Sequence, residues 1–417
     1  MEGHLRDADV TMRGARSAAL LLCISSGVCG VAQGQARAIT LDDALVRTET
    51  DSPSGLAIKR EVERAEAERR AAGLWPNPAF TFSQEDSGSE TEQITDVSLG
   101  IPIGGRLALE RMAAQSGLRG AEARARQARI ELRATVRDAF FELLRFQERT
   151  GVLEGGMDRF EELVKTLRAR EHVGESSGFD RMRAEREKAE VEIDLLESRQ
   201  GLFRARSVLA ALAAIPAAGL VAEGSLLARG ALPPKEELRA AAMSRGDLVS
   251  LEAEAERAER LARAARRRLI PEPVLVAGTK SKQEAGEEES GPVFGISLAL
   301  PIFDRGQGER AVARAESALL HVRREALQRT TEAELEAAYA EAVSMRQAEE
   351  AYSMAPNPAD LARIAWAAYE GGEMGILELL DAHRLAVEVQ LKLIDLHTEA
   401  RRAEVALGRV SGAEVRQ

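Results

Sequence analysis

The chain has 417 residues and a formal net charge of -11; charged residues make up 30% of it and aromatic residues only 4%. Ala, Glu, Arg and Leu dominate, a balance that is typical of long helices rather than of compact mixed domains. The negative charge argues against a nucleic-acid partner, because phosphate binding requires a concentrated positive field.

Residues 1–38 are predicted to be a cleavable export signal. Two arginines that follow Met12 precede an apolar stretch, and Ala36-Arg37-Ala38 has the small-x-small form of a cleavage site. The mature chain would then begin at Ile39, and translation would begin at Met1 or at Met12. Both cysteines lie within this leader, so acylation of a cysteine is the alternative to simple cleavage.

Long proline-free stretches predict helices in the rest of the chain. They span residues 107–146, 179–214, 235–269, 305–352 and 376–407, and a shorter helix is predicted at 358–369. The long ones exceed the average helix of about 11 to 12 residues. Their apolar residues recur at three- and four-residue spacing in narrow stripes, which favours side-by-side coiled-coil packing over a globular core.

Alternating apolar residues predict two β-hairpins, at residues 79–103 and 273–302. Each strand is close to the roughly 9 to 11 residues that cross a membrane when tilted. Because the smallest common barrel has about eight strands, several chains would have to share one. The alternative is a soluble sheet with one face on a core. The residues predicted to face the membrane are Phe80, Phe82, Val97, Leu99, Ile101, Phe294, Ile296 and Leu298.

The chain contains an internal repeat. Leu74-Trp75-Pro76-Asn77-Pro78 recurs as Leu269-Ile270-Pro271-Glu272-Pro273, and the strand that ends in Pro102-Ile103 recurs as the strand that ends in Pro301-Ile302. Both pairs are roughly 195 to 200 residues apart and keep their order, which indicates two copies of one unit. The predicted organisation is a first repeat at 39–215, a linker at 216–234, a second repeat at 235–412 and a tail at 413–417.

This twofold order of helix, Leu-x-Pro-x-Pro, strand, loop, strand ending in Pro-Ile and long helix resembles the outer-membrane efflux protein family, the TolC-like channels. The resemblance runs from Thr40 to Gly408. Residues 172–180 are similar to the family's turn between the paired helices of the first repeat, and residues 369–382 to its partner in the second. Their glycines also have a local reason, because a sharp helix reversal needs residues that tolerate positive φ.

The resemblance implies a mainly α fold with a small membrane β part. Three chains would each supply four strands to a shared twelve-stranded barrel, which the long coiled-coil helices would continue as an α-helical barrel across the periplasm. Such a homotrimer is the outer-membrane channel of a tripartite efflux pump, and it exports small molecules or metal ions. The implied partners are outer-membrane lipid, a periplasmic membrane-fusion adaptor and an inner-membrane efflux pump of the RND type.

The resemblance also implies roles for residues near the two turns. Glu378 and Asp381, together with Asp180, are the candidates for the pore gate. Glu378 and Asp381 are three residues apart and so share one helix face, and a trimer would set them in two carboxylate rings that repel each other and attract cations. The alternative is an ordinary solvated helix face. The candidates for contact with the adaptor are Val173, Gly174, Glu175, Gly371, Gly372 and Glu373.

Two other classes of protein fit part of the pattern. A soluble periplasmic coiled-coil adaptor or a structural interaction protein would explain the helices but not the duplicated hairpins. An enzyme is disfavoured, because the histidines are scattered without metal-ligand spacing and no Gly-rich phosphate loop follows a strand. His383, beside Asp381, is predicted to lie on the surface. The sequence therefore predicts no catalytic residue, no metal site and no cofactor.

Overall fold

The computed structural model describes residues 37–88, 90–227, 230–284, 287–355 and 358–413. The predicted leader lies outside these ranges except for Arg37 and Ala38, and so does the predicted tail except for residue 413. The helices are α1 (Leu41–Thr50), α2 (Pro53–Ala71), α3 (Arg106–His172), α4 (Gly178–Leu212), α5 (Lys235–Met243), α6 (Gly246–Arg266), α7 (Gln307–Ser353), α8 (Pro358–Glu370) and α9 (Ile376–Ser411). The strands are β1 (Arg37–Thr40), β2 (Ala79–Ser87), β3 (Glu90–Gly100), β4 (Leu220–Glu223), β5 (Pro273–Glu284) and β6 (Glu287–Leu298).

Helix α3 is the longest element, with 67 residues, or about 100 Å at 1.5 Å per residue. It runs far past the predicted end at residue 146, through Gly151, Gly155 and Gly156. Gly156 has a packing reason, because a Cβ there would lie 3.1 Å from a methyl carbon of Val387 on α9. The missing side chain therefore lets α9 approach α3 closely.

The single helix predicted at 235–269 is wrong: the chain forms α5 and α6, with a break at Ser244 and Arg245. Arg245 has an extended backbone with φ -53° and ψ 146°. A Cβ on the next residue, Gly246, would collide with the carbonyl oxygen of Ala123 on α3. The helix thus breaks at the point where the backbone of α6 contacts the backbone of α3. Helix propensity depends on local sequence and cannot predict such a long-range contact.

The helices pack side by side, α3 against α4 and α6, α6 against α7, and α7 against α9. The largest buried cluster joins Phe140 and Phe141 of α3 to Leu209 of α4 and to Leu220 of β4. Within the described ranges, no helix combines the length and the apolar character needed to cross a bilayer. The predicted coiled-coil arrangement of long helices is confirmed.

Strands β1 and β4 form a parallel pair that sequence analysis missed, with Ile39 opposite Ala222. Each strand has only four residues, which is too short for an alternating pattern to stand out. The amide side chain of Gln147 closes the free edge of β4. Its Nε2 donates to the Ala222 carbonyl oxygen at 3.0 Å, and its Oε1 accepts from the Ala222 N–H at 2.8 Å.

A buried ion network ties α7 and α9 to the segment between the two repeats. The carboxylate of Glu404 pairs with the guanidinium groups of Arg346 and of Arg401, the latter at 3.1 Å. Arg401 also donates to the carbonyl oxygens of Leu226, at 3.1 Å, and of Leu227. Glu404 is 4% exposed and Arg401 is 5% exposed. The Glu404 carboxylate therefore fixes the positions of two arginines, and these arginines bind the inter-repeat segment through its backbone carbonyls.

The two predicted hairpins are confirmed, and they join into one antiparallel sheet in the order β2-β3-β5-β6. Strands β3 and β5 make the connection between the repeats, with Val97 opposite Ala277. The hairpin strands are 9 to 12 residues long. Among the strands that the structure describes, nothing pairs with the outer edge of β2 or of β6.

Candidate functional site

The turn between α3 and α4 is a Schellman motif, the standard glycine-ended helix stop. Gly174 has φ +80°, a conformation that glycine adopts without a Cβ penalty. The N–H of Glu175 donates to the Arg170 carbonyl at 2.9 Å, and the N–H of Gly174 donates to the Glu171 carbonyl at 3.1 Å. The last carbonyls of α3 are thereby satisfied, and the chain reverses within a few residues.

The turn between α8 and α9 repeats this geometry. Gly372 has φ +76°, the N–H of Glu373 donates to the Ala368 carbonyl at 2.9 Å, and that of Gly372 donates to the Tyr369 carbonyl at 3.2 Å. The duplication therefore extends to single hydrogen bonds. All six predicted adaptor contacts are exposed on these turns: Val173, Gly174, Glu175, Gly371, Gly372 and Glu373.

The two turns lie at the same end of the helix bundle. A buried cluster below them joins Phe160 and Leu167 of α3 to Leu379 and Leu380 of α9. The guanidinium of Arg170, next to the first turn, lies 5.0 Å from the ring centre of Tyr369, next to the second. We call this end of the bundle, residues 159–187 and 362–388, the tip.

Asp180 and Glu378 occupy equivalent places after the two turns. The Asp180 carboxylate accepts the backbone N–H of Ser177 at 3.2 Å, and the Glu378 carboxylate accepts that of Gly375 at 2.7 Å. Each is thus the third helical residue and caps its own helix start. The Ser-x-x-Asp spacing from Ser177 to Asp180 is the sequence signal for such a capping box.

Asp381, the third gate candidate, is exposed one turn further along α9. Its carboxylate accepts from Nη2 of Arg384 at 2.7 Å, and Arg384 also lies 3.6 Å from Glu388. These partners raise the pKa of Arg384, with the hydrogen bond to Asp381 as the main cause. The structure therefore places all three gate candidates at the tip, with Asp381 partly compensated by a cation.

His383 is buried at the tip, so the surface position predicted for it is wrong. It is 6% exposed, and its ring lies 6.1 Å from that of Phe160 and 6.2 Å from that of Trp366. Neither ring nitrogen has a hydrogen-bond partner among the described residues. Desolvation, helped by the charge of Arg159, lowers the pKa of His383 below its ordinary 6.5.

Acid is expected to loosen the tip because His383 is buried in its neutral form. A group whose pKa is lower in the folded than in the unfolded chain stabilises the fold above the unfolded pKa, and this stability is lost as pH falls below about 6.5. After correction for the intrinsic exchange rate at each pH, the protection factors of the amides in the first turns of α9 should fall by up to about tenfold per pH unit below that point. A cavity of about 320 Å³ lies beside the His383 ring, and the charged residues that line it are Arg159, Glu162 and Arg363.

A His383→Leu variant should remove this pH dependence and keep or raise stability at neutral pH, since it deletes two unpaired buried nitrogens. The matched control is His321→Leu, which changes an exposed histidine on α7. Equal acid sensitivity of exchange at the tip in wild-type and His383→Leu protein would assign the effect to other groups.

The half of the sheet next to the helices has one apolar face, and toward the hairpin turns the same face carries polar residues such as Gln84 and Gln283. The register places Phe80, Val97, Ala277 and Phe294 in one row across the four strands. Phe294 is 80% exposed, so none of the residues that the structure describes covers this part of the face. The predicted membrane-facing residues of the strands share it: Phe80, Phe82, Val97, Leu99, Phe294, Ile296 and Leu298. Ile101 lies just past β3, where its N–H donates to the Pro273 carbonyl at 2.8 Å.

The opposite face carries most of the charged residues of the sheet, and these are mainly acidic. Lys282 lies 3.0 Å from Glu90 and 2.9 Å from Glu284, and Lys280 pairs with Glu92. The acidic residues on this face are Glu85, Glu90, Glu92, Asp96, Glu284, Glu287 and Glu289. They outnumber the two lysines, so the face carries a net negative charge. Across the described ranges, no group of three or more His, Cys, Asp or Glu side chains is suited to hold a metal ion.

Comparison with known proteins relates this arrangement to a family. The sequence pattern of the outer membrane efflux protein family matches residues 47–214 and 238–413. The cobalt-zinc-cadmium resistance protein CzcC of Cupriavidus metallidurans is 26% identical over 385 residues, which cover 90% of each chain.

Solved structures share the fold. A membrane protein of Pseudomonas aeruginosa matches with a TM-score of 0.74 at 21% identity, over 89% of this chain and 93% of that one. The outer membrane protein VceC of Vibrio cholerae matches with a TM-score of 0.71 at 18% identity, over 90% of this chain and 97% of that one. The resemblance seen in the duplicated motifs is confirmed over nearly the whole described length, and the comparisons favour this family over the alternative of a soluble adaptor or structural interaction protein. The chain belongs to the outer membrane efflux protein family.

Proposed function

We propose that three copies of this chain form one efflux duct through the outer membrane. The open four-stranded sheet carries this proposal, because both of its edges are unpaired among the described strands. In lipid, an open edge would leave backbone N–H and C=O groups without partners. Three sheets joined edge to edge, β6 of one chain beside β2 of the next, would give twelve strands without an edge.

The two faces of the sheet support this assembly. The exposed apolar face of Phe80, Phe294 and Ile296 suits contact with lipid, and the face with Asp96 and Glu92 would line the lumen. This is the alternation of membrane barrels, with apolar residues outside and polar residues inside. A lumen of net negative charge would favour cations.

The helical part would continue the duct into the periplasm, and the tip would meet a periplasmic adaptor and an inner-membrane pump of the RND type. The exposed turns at Val173–Glu175 and Gly371–Glu373 support the adaptor contact. The cargo would be small molecules or metal ions, exported outward. The similarity to a cobalt-zinc-cadmium resistance protein supports metal ions, as does the acidic sheet face.

Neutralising the tip carboxylates tests the channel at its proposed constriction. In a Glu378→Gln/Asp381→Asn variant, a trimer would lose the two rings of negative charge. At low salt its preference for K⁺ over Cl⁻ should fall by about tenfold, since a surface potential of a few kT multiplies local cation concentration by about that factor. The measurement is the reversal potential of reconstituted channels in a KCl gradient.

The control for this experiment is Asp158→Asn, which removes an exposed carboxylate of α3 that lies just outside the tip. It should leave the ion preference unchanged. Glutamine at residue 378 can still accept the Gly375 N–H, so the helix start is preserved. If the double variant kept the ion selectivity of wild type, Glu378 would only cap α9 and Asp381 would only be a solvated residue on its surface.

A further inference from the structure

Large apolar side chains are exposed where the sheet meets the helices. Phe303, just before α7, is 90% exposed, and Trp75, just after α2, is 56% exposed. Four more accompany them: Leu74, Ile103, Leu300 and Ile302. They continue the apolar face of the sheet toward the helices, so under the proposed function they lie at the periplasmic border of the lipid.

Three exposed arginines lie at the same junction of the sheet and the helices. Arg266 and Arg267 end α6, and Arg305 precedes α7. None of the three has a carboxylate partner in the part of the chain that the structure describes. Their neighbour Arg268 differs, because it pairs with Glu309 at 2.9 Å and lies 3.7 Å from Asp304. We call Arg266, Arg267 and Arg305 the arginine collar.

Backbone contacts hold the collar against both post-strand turns. A Cβ on Gly104, next to Ile103, would lie 3.4 Å from the carbonyl oxygen of Arg267. A Cβ on Gly306, next to Arg305, would collide with the carbonyl of Ala265. The end of α6 is therefore fixed beside the exposed apolar residues of both repeats.

We propose that the arginine collar binds the headgroups of anionic phospholipids in the periplasmic leaflet of the outer membrane. This inference rests on the proposed function, which puts the sheet in that membrane. Aromatic and apolar side chains mark the lipid border, and arginines just beyond it attract anionic headgroups. Three cations without carboxylate partners, in a chain of net charge -11, are left free for an external anion.

The charge at the other end of the sheet supports the choice of leaflet. The hairpin turns there are flanked by Glu85, Asp86, Glu284, Glu287 and Glu288. These carboxylates would repel an anionic headgroup, whereas the collar would attract one. The sheet thus has an acidic end and a basic end, and the basic end adjoins the helices.

Native mass spectrometry of the full chain in detergent tests the proposal. The protein is incubated with phosphatidylglycerol, phosphatidylcholine or lipid A, and the retained lipid is weighed. Phosphatidylglycerol should be retained in preference to phosphatidylcholine. An Arg266→Gln/Arg267→Gln variant should bind phosphatidylglycerol at least about tenfold more weakly, because each arginine near an anionic surface contributes about fivefold in affinity.

The control is Arg183→Gln/Arg239→Gln, which changes two exposed arginines on α4 and α5 that also lack a carboxylate partner among the described residues. It should retain phosphatidylglycerol like wild type. Equal retention of phosphatidylglycerol and phosphatidylcholine, equal loss in both variants, or a preference for lipid A would each overturn the inference. The same spectrum gives the particle mass, so a trimer without lipid preference rejects the collar alone, and a monomer rejects the duct.

Discussion

A Glu404→Gln variant is expected to lose about 3 to 5 kcal/mol of the free energy of unfolding, the cost of breaking a buried ion pair from one side. The substitution keeps the shape of the side chain but leaves Arg401, 5% exposed, and Arg346 without a counter-charge. Both arginines hold carbonyls of the inter-repeat segment, so this segment should loosen together with α7 and α9.

Urea unfolding of the protein in detergent measures the loss, and hydrogen exchange at Leu220–Glu223 reports on the inter-repeat segment. Glu399→Gln is the matched control, because Glu399 is exposed on the same helix and surface changes usually stay within about 0.5 kcal/mol. A loss below about 1 kcal/mol in the Glu404→Gln variant would mean that water or other groups compensate the two arginines.

The second large effect is expected in the sheet, from an arginine placed on its apolar face. Phe294→Arg should destabilise each chain in the membrane by about 2 to 4 kcal/mol if the residue lies near the bilayer midplane. Val293→Arg is the control, since Val293 is the neighbour of Phe294 and points to the opposite, polar face. In the proposed barrel that face lines the lumen, where an arginine remains in water.

Folding into lipid vesicles, followed by titration with urea, compares the two variants with wild type. The Phe294→Arg protein should fold poorly and yield little assembled protein in the outer membrane, whereas Val293→Arg should resemble wild type within about 1 kcal/mol. Equal effects of the two substitutions, or a larger effect at Val293, would mean that the apolar face does not contact lipid.

The features predicted from sequence are those that a local pattern encodes. The hairpins follow from alternating residues such as Phe80 and Phe82, and the turns follow from Gly174 and Gly372. The repeat then predicted that both hairpins have the same design, and the structure joins them through β3 and β5.

The features that sequence analysis missed depend on contacts between distant residues. The break before Gly246 exists because α6 meets the backbone of α3 at Ala123. The pairing of β1 with β4 joins Ile39 to Ala222, and His383 is buried by side chains from α3 and α8. None of these contacts can be predicted from a periodic pattern within one segment, because each joins residues that are far apart in the sequence.

The site residues fall between these cases. Spacing alone places Glu378 and Asp381 on one helix face, and the structure adds that Glu378 caps α9 while Asp381 pairs with Arg384. Asp180 has the same capping place after the first turn. Each carboxylate thus has a local partner, and a gating role for them stays a prediction that the ion-selectivity experiment tests.

The mass of the particle extracted from outer membranes decides whether three chains share one barrel. The full chain, including residues 1–38, is expressed, cells are fractionated, and the detergent-solubilised protein is weighed by light scattering with the detergent contribution subtracted. We expect retention in the outer membrane and a protein mass of three chains, because only shared strands close the open sheet. A monomer or dimer released with the soluble periplasmic fraction would contradict it.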